Sequence, residues 1–171
     1  MEYKNRKHLR LQEYDYNTQG AYFLTFCTYN RKNSLSRIVG ANHESPESVL
    51  TRQGRIVEEI IKNIPAHIGV TLDRYVIMPN HVHVILLIEH EQRAIHESPL
   101  RKRSAISNAI GYIKMNASKR IHQDYGNTQV WQRGFYDHVI RNERDYLEIA
   151  KYIEENPLRW QLDCYYESED M

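Results

Sequence analysis

The chain has 171 residues, of which 41% are hydrophobic and 26% are charged, and its formal net charge is +1 at pH 7. This length predicts a single domain with its own core, and the composition, with 7 glycines and 5 prolines, argues against a disordered or fibrous protein. The small net charge excludes a globally basic nucleic-acid binder, so affinity for nucleic acid requires local clusters of Lys and Arg.

Hydrophobic periodicity, together with capping and turn residues, predicts the secondary structure. In chain order the elements are a strand at 21–31, a helix at 51–67, strands at 70–78 and 81–89, a helix at 104–122, a strand at 130–140 and a helix at 142–156. The polar stretch "GANHESPES" after the first strand is interpreted as a loop, and Pro79-Asn80 as a tight turn.

This order of elements predicts an α+β fold. It is typical of a ferredoxin-like split βαβ sandwich, in which an antiparallel sheet carries helices on one face, here with an additional C-terminal helix. The whole chain, 1–171, is expected to form this one domain, and residues 89–103 are expected to form a flexible polar loop. The other face of the sheet is expected to be open for a ligand.

Neither secretion nor membrane insertion is expected. The basic N-terminus "MEYKNRKHLR" is followed by no apolar segment, unlike a signal peptide, and the longest apolar run, 82–88, is too short to cross a bilayer. The two cysteines, Cys27 and Cys164, are far apart and match no metal-binding spacing, which favours a reduced, cytoplasmic setting.

Two histidines, His81 and His83, interrupt the otherwise apolar stretch "YVIMPNHVHVILLI". Because side chains alternate along a strand, both histidines lie on one face, and Val82 and Val84 lie on the other. Two neutral imidazoles side by side form a ready pair of metal ligands. The alternative is that they are polar positions on an exposed face, since two ligands alone rarely make a site.

The last helix, "NERDYLEIAKYIEEN", contributes two candidate functional residues. Its apolar side includes Tyr146 and Ile153 and is expected to pack on the sheet. Tyr152 lies at the border of that side, and Asn156, about one turn further on, faces the same way. A tyrosine at a helix edge is more often a packing residue than a nucleophile.

The histidine-bearing stretch resembles the histidine–hydrophobic–histidine (HUH) signature of single-tyrosine transposases. The block "VWQRGFYDHVIRNERDYLEIAKYIEENPLRW" resembles the bacterial subgroup of REP-associated tyrosine transposases, and the opening "LRLQEYDYNTQGAYFLTFCTYNRK" is similar too. The likeness covers nearly the whole chain, and the long joined motif is specific, whereas two histidines one residue apart are not.

By motif position, the resemblance implies that Tyr152 is the catalytic nucleophile, with Tyr146 as the alternative. It also implies a divalent metal, Mg²⁺ or Mn²⁺, bound by His81, His83 and Asn156, although some relatives carry Gln at the third position. The implied enzyme is a bacterial, cytoplasmic transesterase that cleaves and rejoins single-stranded or hairpin DNA through a 5′-phosphotyrosine intermediate.

The expected DNA-binding surface is local rather than global. The candidate residues for binding phosphates or stacking on bases are Lys4, Arg6, Lys7, Arg10, Arg101, Lys102, Arg103, Tyr112, Lys114, Lys119 and Arg120. Each basic cluster can equally be an ordinary solvated surface. His138, Glu148 and Glu155 are candidates for positions near the site, although a structural histidine and solvated carboxylates are the favoured interpretations.

Two other functions stay open at this point. One is a catalytically inactive, sequence-specific nucleic-acid-binding protein on the same fold, which the Asn in place of Gln at position 156 leaves open. The other is a metal-dependent phosphoesterase that uses water and forms no covalent intermediate. The resemblance is also compatible with a monomer or a homodimer, and with an active site formed within one chain or between two.

Overall fold

A computed structural model describes residues 14–40, 46–89 and 104–166. Within these ranges the helices and strands are β1 (Gly20–Cys27), β2 (Ser36–Val39), β3 (Glu47–Leu50), α1 (Arg52–Lys62), β4 (Thr71–Ile77), β5 (His81–Ile88), α2 (Ala105–Tyr125), β6 (Tyr136–Ile140) and α3 (Glu143–Glu155). A 3-10 helix, Pro157–Leu162, follows α3 directly. Among the described residues, no helix combines the length and the apolar composition that crossing a bilayer requires.

The main sheet has four strands in the order β4-β5-β1-β6, and all neighbours are antiparallel. This is the strand order of a split βαβ fold, so the predicted α+β, ferredoxin-like class is confirmed. The central pair β1 and β5 aligns Thr25 with His83 and Cys27 with His81. Because directly opposed residues share a face, these four side chains lie on the same side of the sheet.

The opposite side of the sheet packs against α1 and α2 and forms the main hydrophobic core. Leu24, Val84 and Leu86 are fully buried there. The apolar stripe of α2 is buried as well, at Ile106, Ile110, Ile113, Ala117 and Ile121. Fully burying such a side chain is worth roughly 1.5–3 kcal/mol, so this face supplies most of the driving force for folding.

The face that carries the histidines is covered, and the expectation that it would be open is wrong. His81 and His83 are 0% and 1% exposed. The Tyr152 ring of α3 lies 5.2 Å from the His83 ring, and the Trp160 ring lies 5.9 Å from the His81 ring. The reason is that α3 has an apolar side of its own, which includes the buried Ala150 and Ile153, and this side needs a partner surface.

Several element boundaries differ from the predicted ones. β1 ends at Cys27 because Asn30 and Arg31 adopt left-handed backbone angles, with φ of 50° and 52°. The strand predicted at 130–140 is regular only over Tyr136–Ile140, whereas α2 extends to Tyr125. β2 and β3 pair in a small separate sheet, and β3 begins within the stretch that was predicted to be a loop. Most of the loop predicted at 89–103 lies outside the described residues.

Candidate metal and nucleophile site

The imidazole rings of His81 and His83 contact each other on the face of the sheet that α3 covers. The Nε2 atom of His81 lies 3.0 Å from the Nε2 atom of His83. Burial, with a smaller contribution from the nearby Arg31 guanidinium, lowers the pKa of His81 to about 3. Burial and the neighbouring His81 hold the pKa of His83 well below its usual value. Both rings are therefore neutral at pH 7, which is the form that binds a metal.

A second layer of polar groups orients these rings. Asn80 Nδ2 donates to the Tyr165 carbonyl at 2.7 Å, so its Oδ1 atom is turned to accept from His81 Nδ1 at 2.9 Å. His81 Nε2 thereby carries a lone pair. Thr25 Oγ1 lies 2.7 Å from His83 Nδ1, and a hydroxyl can serve either tautomer of that ring because it both donates and accepts.

Tyr152 and Asn156 reach the same place from α3, as their spacing predicted. The Tyr152 hydroxyl lies 3.3 Å from His83 Nε2. Asn156 is fully buried, and no described residue donates to its Oδ1 atom. Burial and the Asp163 carboxylate raise the pKa of the Tyr152 phenol above its ordinary value.

Asp163 completes this cluster, and sequence reasoning missed it. Its Oδ2 atom accepts from the Tyr152 hydroxyl at 3.2 Å and from Asn156 Nδ2 at 3.1 Å, while its Oδ1 atom accepts from the Tyr165 N–H at 2.7 Å. The one available signal was that Asp163 is the only charged residue in "WQLDCYY". That signal is weak, because the segment shows no periodic pattern and lies beyond the quoted motif.

The residues present fit a divalent cation. Two neutral imidazoles converge, a buried amide oxygen has no hydrogen-bond partner among the described residues, and a carboxylate lies beside them. Nitrogen and oxygen donors of this kind suit first-row divalent ions, and the oxygens suit Mg²⁺ and Mn²⁺. The Tyr152 phenol, a type of group that can act as a nucleophile, contacts the His83 imidazole of this cluster.

Comparison with known proteins identifies the family of this chain. The sequence profile of the family described as IS200-like transposases matches residues 16–156. The chain belongs to the IS200-like transposase family. An uncharacterized protein of Haemophilus influenzae is similar to this transposase, with 32% identity over 173 residues that cover 95% of this chain and 93% of the relative. The family expected from the motifs is confirmed.

A solved structure shares the fold of this transposase. It is a REP-associated tyrosine transposase bound to a REP hairpin, with a TM-score of 0.60, 21% identity, and coverage of 88% of this chain and 73% of the other. At this level of identity the likeness concerns the fold alone, and it agrees with the α+β architecture described above.

Four other candidates of the transposase make their contacts away from the histidine pair. The Tyr146 hydroxyl donates to Asp73 Oδ2 at 2.7 Å beside β4, so the alternative nucleophile packs at a sheet edge. His138 is exposed and pairs with Asp145 of α3 at 2.9 Å, which makes it a structural link between β6 and α3. Glu148 forms an exposed ion pair with Arg144 at 2.9 Å, and Glu155 pairs in the same way with Arg159.

The candidate DNA-binding residues of the transposase fall into different classes. Tyr112 is partly buried against the core, so it is not the exposed stacking ring that was expected. Lys114 donates from Nζ to the carbonyls of Gln132 and Gly134 and is not free for phosphate. Lys119 is exposed on α2. The residues outside the described ranges are Lys4, Arg6, Lys7, Arg10, Arg101, Lys102 and Arg103.

Proposed function

We propose that this protein is a REP-associated tyrosine transposase that cleaves and rejoins single-stranded or hairpin DNA through a covalent link to Tyr152. The observation that carries the proposal is the 3.3 Å contact between the Tyr152 hydroxyl and His83 Nε2. A phenol, two imidazoles and a buried amide from distant parts of the chain would not converge for packing alone, because burying polar groups costs free energy. Membership of the IS200-like transposase family supports a DNA substrate.

In the proposed site, His81, His83 and Asn156 hold Mg²⁺ or Mn²⁺. A cation held there would supply positive charge to the non-bridging phosphate oxygens and to the charge that develops on the phosphoryl group. Asn80 and Thr25 keep the ligand nitrogens of the two histidines turned toward each other. Asn156 would bind through Oδ1, the atom to which no described residue donates.

Tyr152 supplies the nucleophile in this proposal. Its oxygen bonds to phosphorus while the bond from phosphorus to the 3′-oxygen breaks, so one DNA end becomes a 5′-phosphotyrosine and the other a 3′-hydroxyl. The phenol loses its proton and the leaving 3′-oxygen gains one. Attack by another 3′-hydroxyl reverses these changes and rejoins DNA, so no nucleotide hydrolysis is needed.

Access to this site requires a movement of the chain. Both histidines are buried, and Tyr165 lies over the His81 ring with 4.6 Å between centroids. A phosphodiester therefore reaches the Tyr152 oxygen only when the covering segment, Pro157–Tyr166, is displaced. The Tyr152 hydroxyl contacts His83 of its own chain at 3.3 Å, which supports an active site formed within one chain.

The covalent intermediate provides the test. The full chain is incubated with Mn²⁺ and a pool of 3′-labelled hairpin oligonucleotides whose single-stranded flanks are randomised, and SDS gels reveal labelled protein. We expect an SDS-resistant adduct in the wild type, because the 5′-phosphotyrosine keeps the 3′-labelled fragment attached. Tyr152→Phe should abolish this adduct, since the only change is the loss of the nucleophilic oxygen.

Tyr146→Phe is the matched control, because it removes the same atom at the edge of the sheet. It should keep the adduct. Binding of the hairpins without cleavage would instead support an inactive nucleic-acid-binding protein. Cleavage without an adduct would support a phosphoesterase that uses water, and an adduct that persists in Tyr152→Phe would assign the nucleophile to another residue.

A further inference from the structure

Asp163 lies beside the two imidazoles, although the motif that identified the site does not include it. The carboxylate of Asp163 and the rings of His81 and His83 each place one ligand atom within 4.8 Å of the others. We propose that the Asp163 carboxylate binds the divalent cation in the DNA-free protein, together with His81 and His83. The inference rests on the proposed metal site and adds an anionic ligand to it from the segment after α3.

The direction of the Asp163 carboxylate is set by the segment around it. The Tyr165 N–H holds Oδ1 at 2.7 Å, and the Tyr165 carbonyl is in turn held by Asn80 Nδ2. Arg31 Nη1 donates to the Cys164 carbonyl at 3.3 Å. Because Oδ1 is occupied in this way, Oδ2 is the atom presented to the site. A ligand whose position is fixed before the ion arrives loses little entropy on binding it.

The groups that contact Oδ2 of Asp163 are neutral donors, the Tyr152 hydroxyl and the Asn156 amide. The adjacent imidazoles of His81 and His83 are fully buried, so little water surrounds this side of the carboxylate. A carboxylate beside a water-poor cluster gains more from a cation than from neutral hydrogen bonds. A divalent ion between the imidazoles would supply that charge within reach of Oδ2.

The types of ligand that Mg²⁺ and Mn²⁺ prefer also support Asp163 as a metal ligand. Two imidazoles and one amide oxygen form a set without charge, whereas Mg²⁺ and Mn²⁺ favour carboxylate oxygens. Asp163 contributes the one negative charge within this cluster of described residues. A phosphate oxygen of DNA carries the same charge, so we expect it to take the place of Asp163 when the segment after α3 is displaced.

The test measures Mn²⁺ binding by the full chain without DNA, using isothermal titration calorimetry. Asp163→Asn keeps the size of the side chain and an oxygen for the Tyr165 N–H but removes the charge. We expect it to bind Mn²⁺ at least tenfold more weakly than the wild type. Asp163→Glu keeps a carboxylate and should bind more tightly than the Asn variant. Equal Mn²⁺ affinity in the wild type and in Asp163→Asn overturns the proposal.

Asp124→Asn is the control for charge, since Asp124 lies on α2 and pairs with Arg52 at 2.8 Å. It should leave Mn²⁺ affinity within twofold of the wild type. Electron spin echo spectroscopy of bound Mn²⁺ detects couplings to nitrogen atoms of coordinated imidazoles. It therefore distinguishes a failure of the Asp163 proposal from a failure of the histidine site. Imidazole couplings with equal affinities reject Asp163 alone, whereas their absence from the wild type rejects the histidine site itself. If the Asn variant does not fold, Asp163→Ser replaces it, with the same two outcomes.

Discussion

The central strands β1 and β5 of the main sheet are largely buried on both faces, but the two faces differ in chemistry. On one face, β1 and β5 present Leu24, Val84 and Leu86 to α1 and α2. On the other, the same two strands present Thr25, His81 and His83 to α3 and the segment after it. Hydrocarbon burial stabilises the first face directly. The second face buries groups that lose their hydration, and it recovers only part of that loss in hydrogen bonds.

This difference indicates what each face is for. A neutral hydrogen bond contributes about 0.5–1.5 kcal/mol net, whereas a buried polar atom without a partner costs about 1–3 kcal/mol. Asn156 Oδ1, which no described residue contacts as a donor, is such an atom on the histidine face. A sheet built for stability alone would place apolar side chains on both sides. The polar face, which carries the candidate site, therefore lowers the stability of the fold. Hydrocarbon burial on the apolar face offsets that loss.

The largest expected effect is a loss of stability that leaves activity unchanged. Leu24→Ala on the apolar face should lower the free energy of unfolding by about 3 kcal/mol, because it leaves a cavity in a tightly packed core. Adduct formation per folded molecule should stay unchanged, since Leu24 points away from the histidines. Urea denaturation measures the first quantity and the SDS-gel assay the second.

The reciprocal change is the double variant Thr25→Val/His83→Leu on the polar face. It replaces both members of a buried hydrogen bond by apolar groups of similar size, but it also removes the His83 Nε2 atom that lies 3.0 Å from His81 Nε2. We expect the free energy of unfolding without metal to fall by about 1–2 kcal/mol, less than in Leu24→Ala, and adduct formation to fall by at least ~100-fold. Comparable stability losses on both faces would contradict the division of roles.

A smaller effect is expected when only the support of a ligand is removed. Thr25→Val deletes the hydroxyl that lies 2.7 Å from His83 Nδ1 but leaves both imidazoles in place. Loss of such a supporting hydrogen bond typically weakens metal binding by about 10- to 100-fold. Calorimetric titration with Mn²⁺ should show about a tenfold weaker affinity. Thr71→Val, at an exposed position of β4, is the matched control and should show none.

The fold could be predicted largely from the sequence because its main signals are local. The apolar stripe of α2 and the alternation along β5 each report burial through the spacing of neighbouring residues. The β2–β3 hairpin was missed because strands of four residues carry too little pattern to be recognised. The burial of the histidine face was missed because polar and apolar residues alternate along a strand in the same way whether its polar face is exposed or covered.

The site could be predicted only where a motif carried it. His81, His83, Tyr152 and Asn156 lie in such a motif, and α3 brings the last two together at helical spacing. Asp163 and Thr25 take part through contacts between distant segments, which no local pattern encodes. Lys114 was misjudged for a related reason. A lysine on a helix is usually solvated, and only the tertiary structure brings the carbonyls of Gln132 and Gly134 to its ammonium.

Lys114 offers the smallest and most specific test, because it places a charge on the apolar face. Its Nζ atom lies 5.7 Å from the centre of the Phe26 ring, and burial lowers the pKa of Lys114 from 10.5 to about 8. Between these two values the unfolded chain binds more protons than the folded one, so the free energy of unfolding should rise with pH. The expected rise from pH 7.5 to 9 is about 1 kcal/mol after allowing for partial exposure.

Urea denaturation at pH 7.5, 8, 8.5 and 9 measures this rise, which Lys114→Met should abolish. Lys119→Met removes an exposed lysine from the same helix and should preserve it. Cys27 limits the range, because burial raises the pKa of its thiol to about 11. Its unfolded form loses a proton first, so this thiol lowers stability above pH 9 in every variant. If the free energy of unfolding depends on pH in the same way for the wild type and Lys114→Met up to pH 9, the Lys114 ammonium is solvated. The contrast between the two faces would then be weaker than the burial of Lys114 indicates.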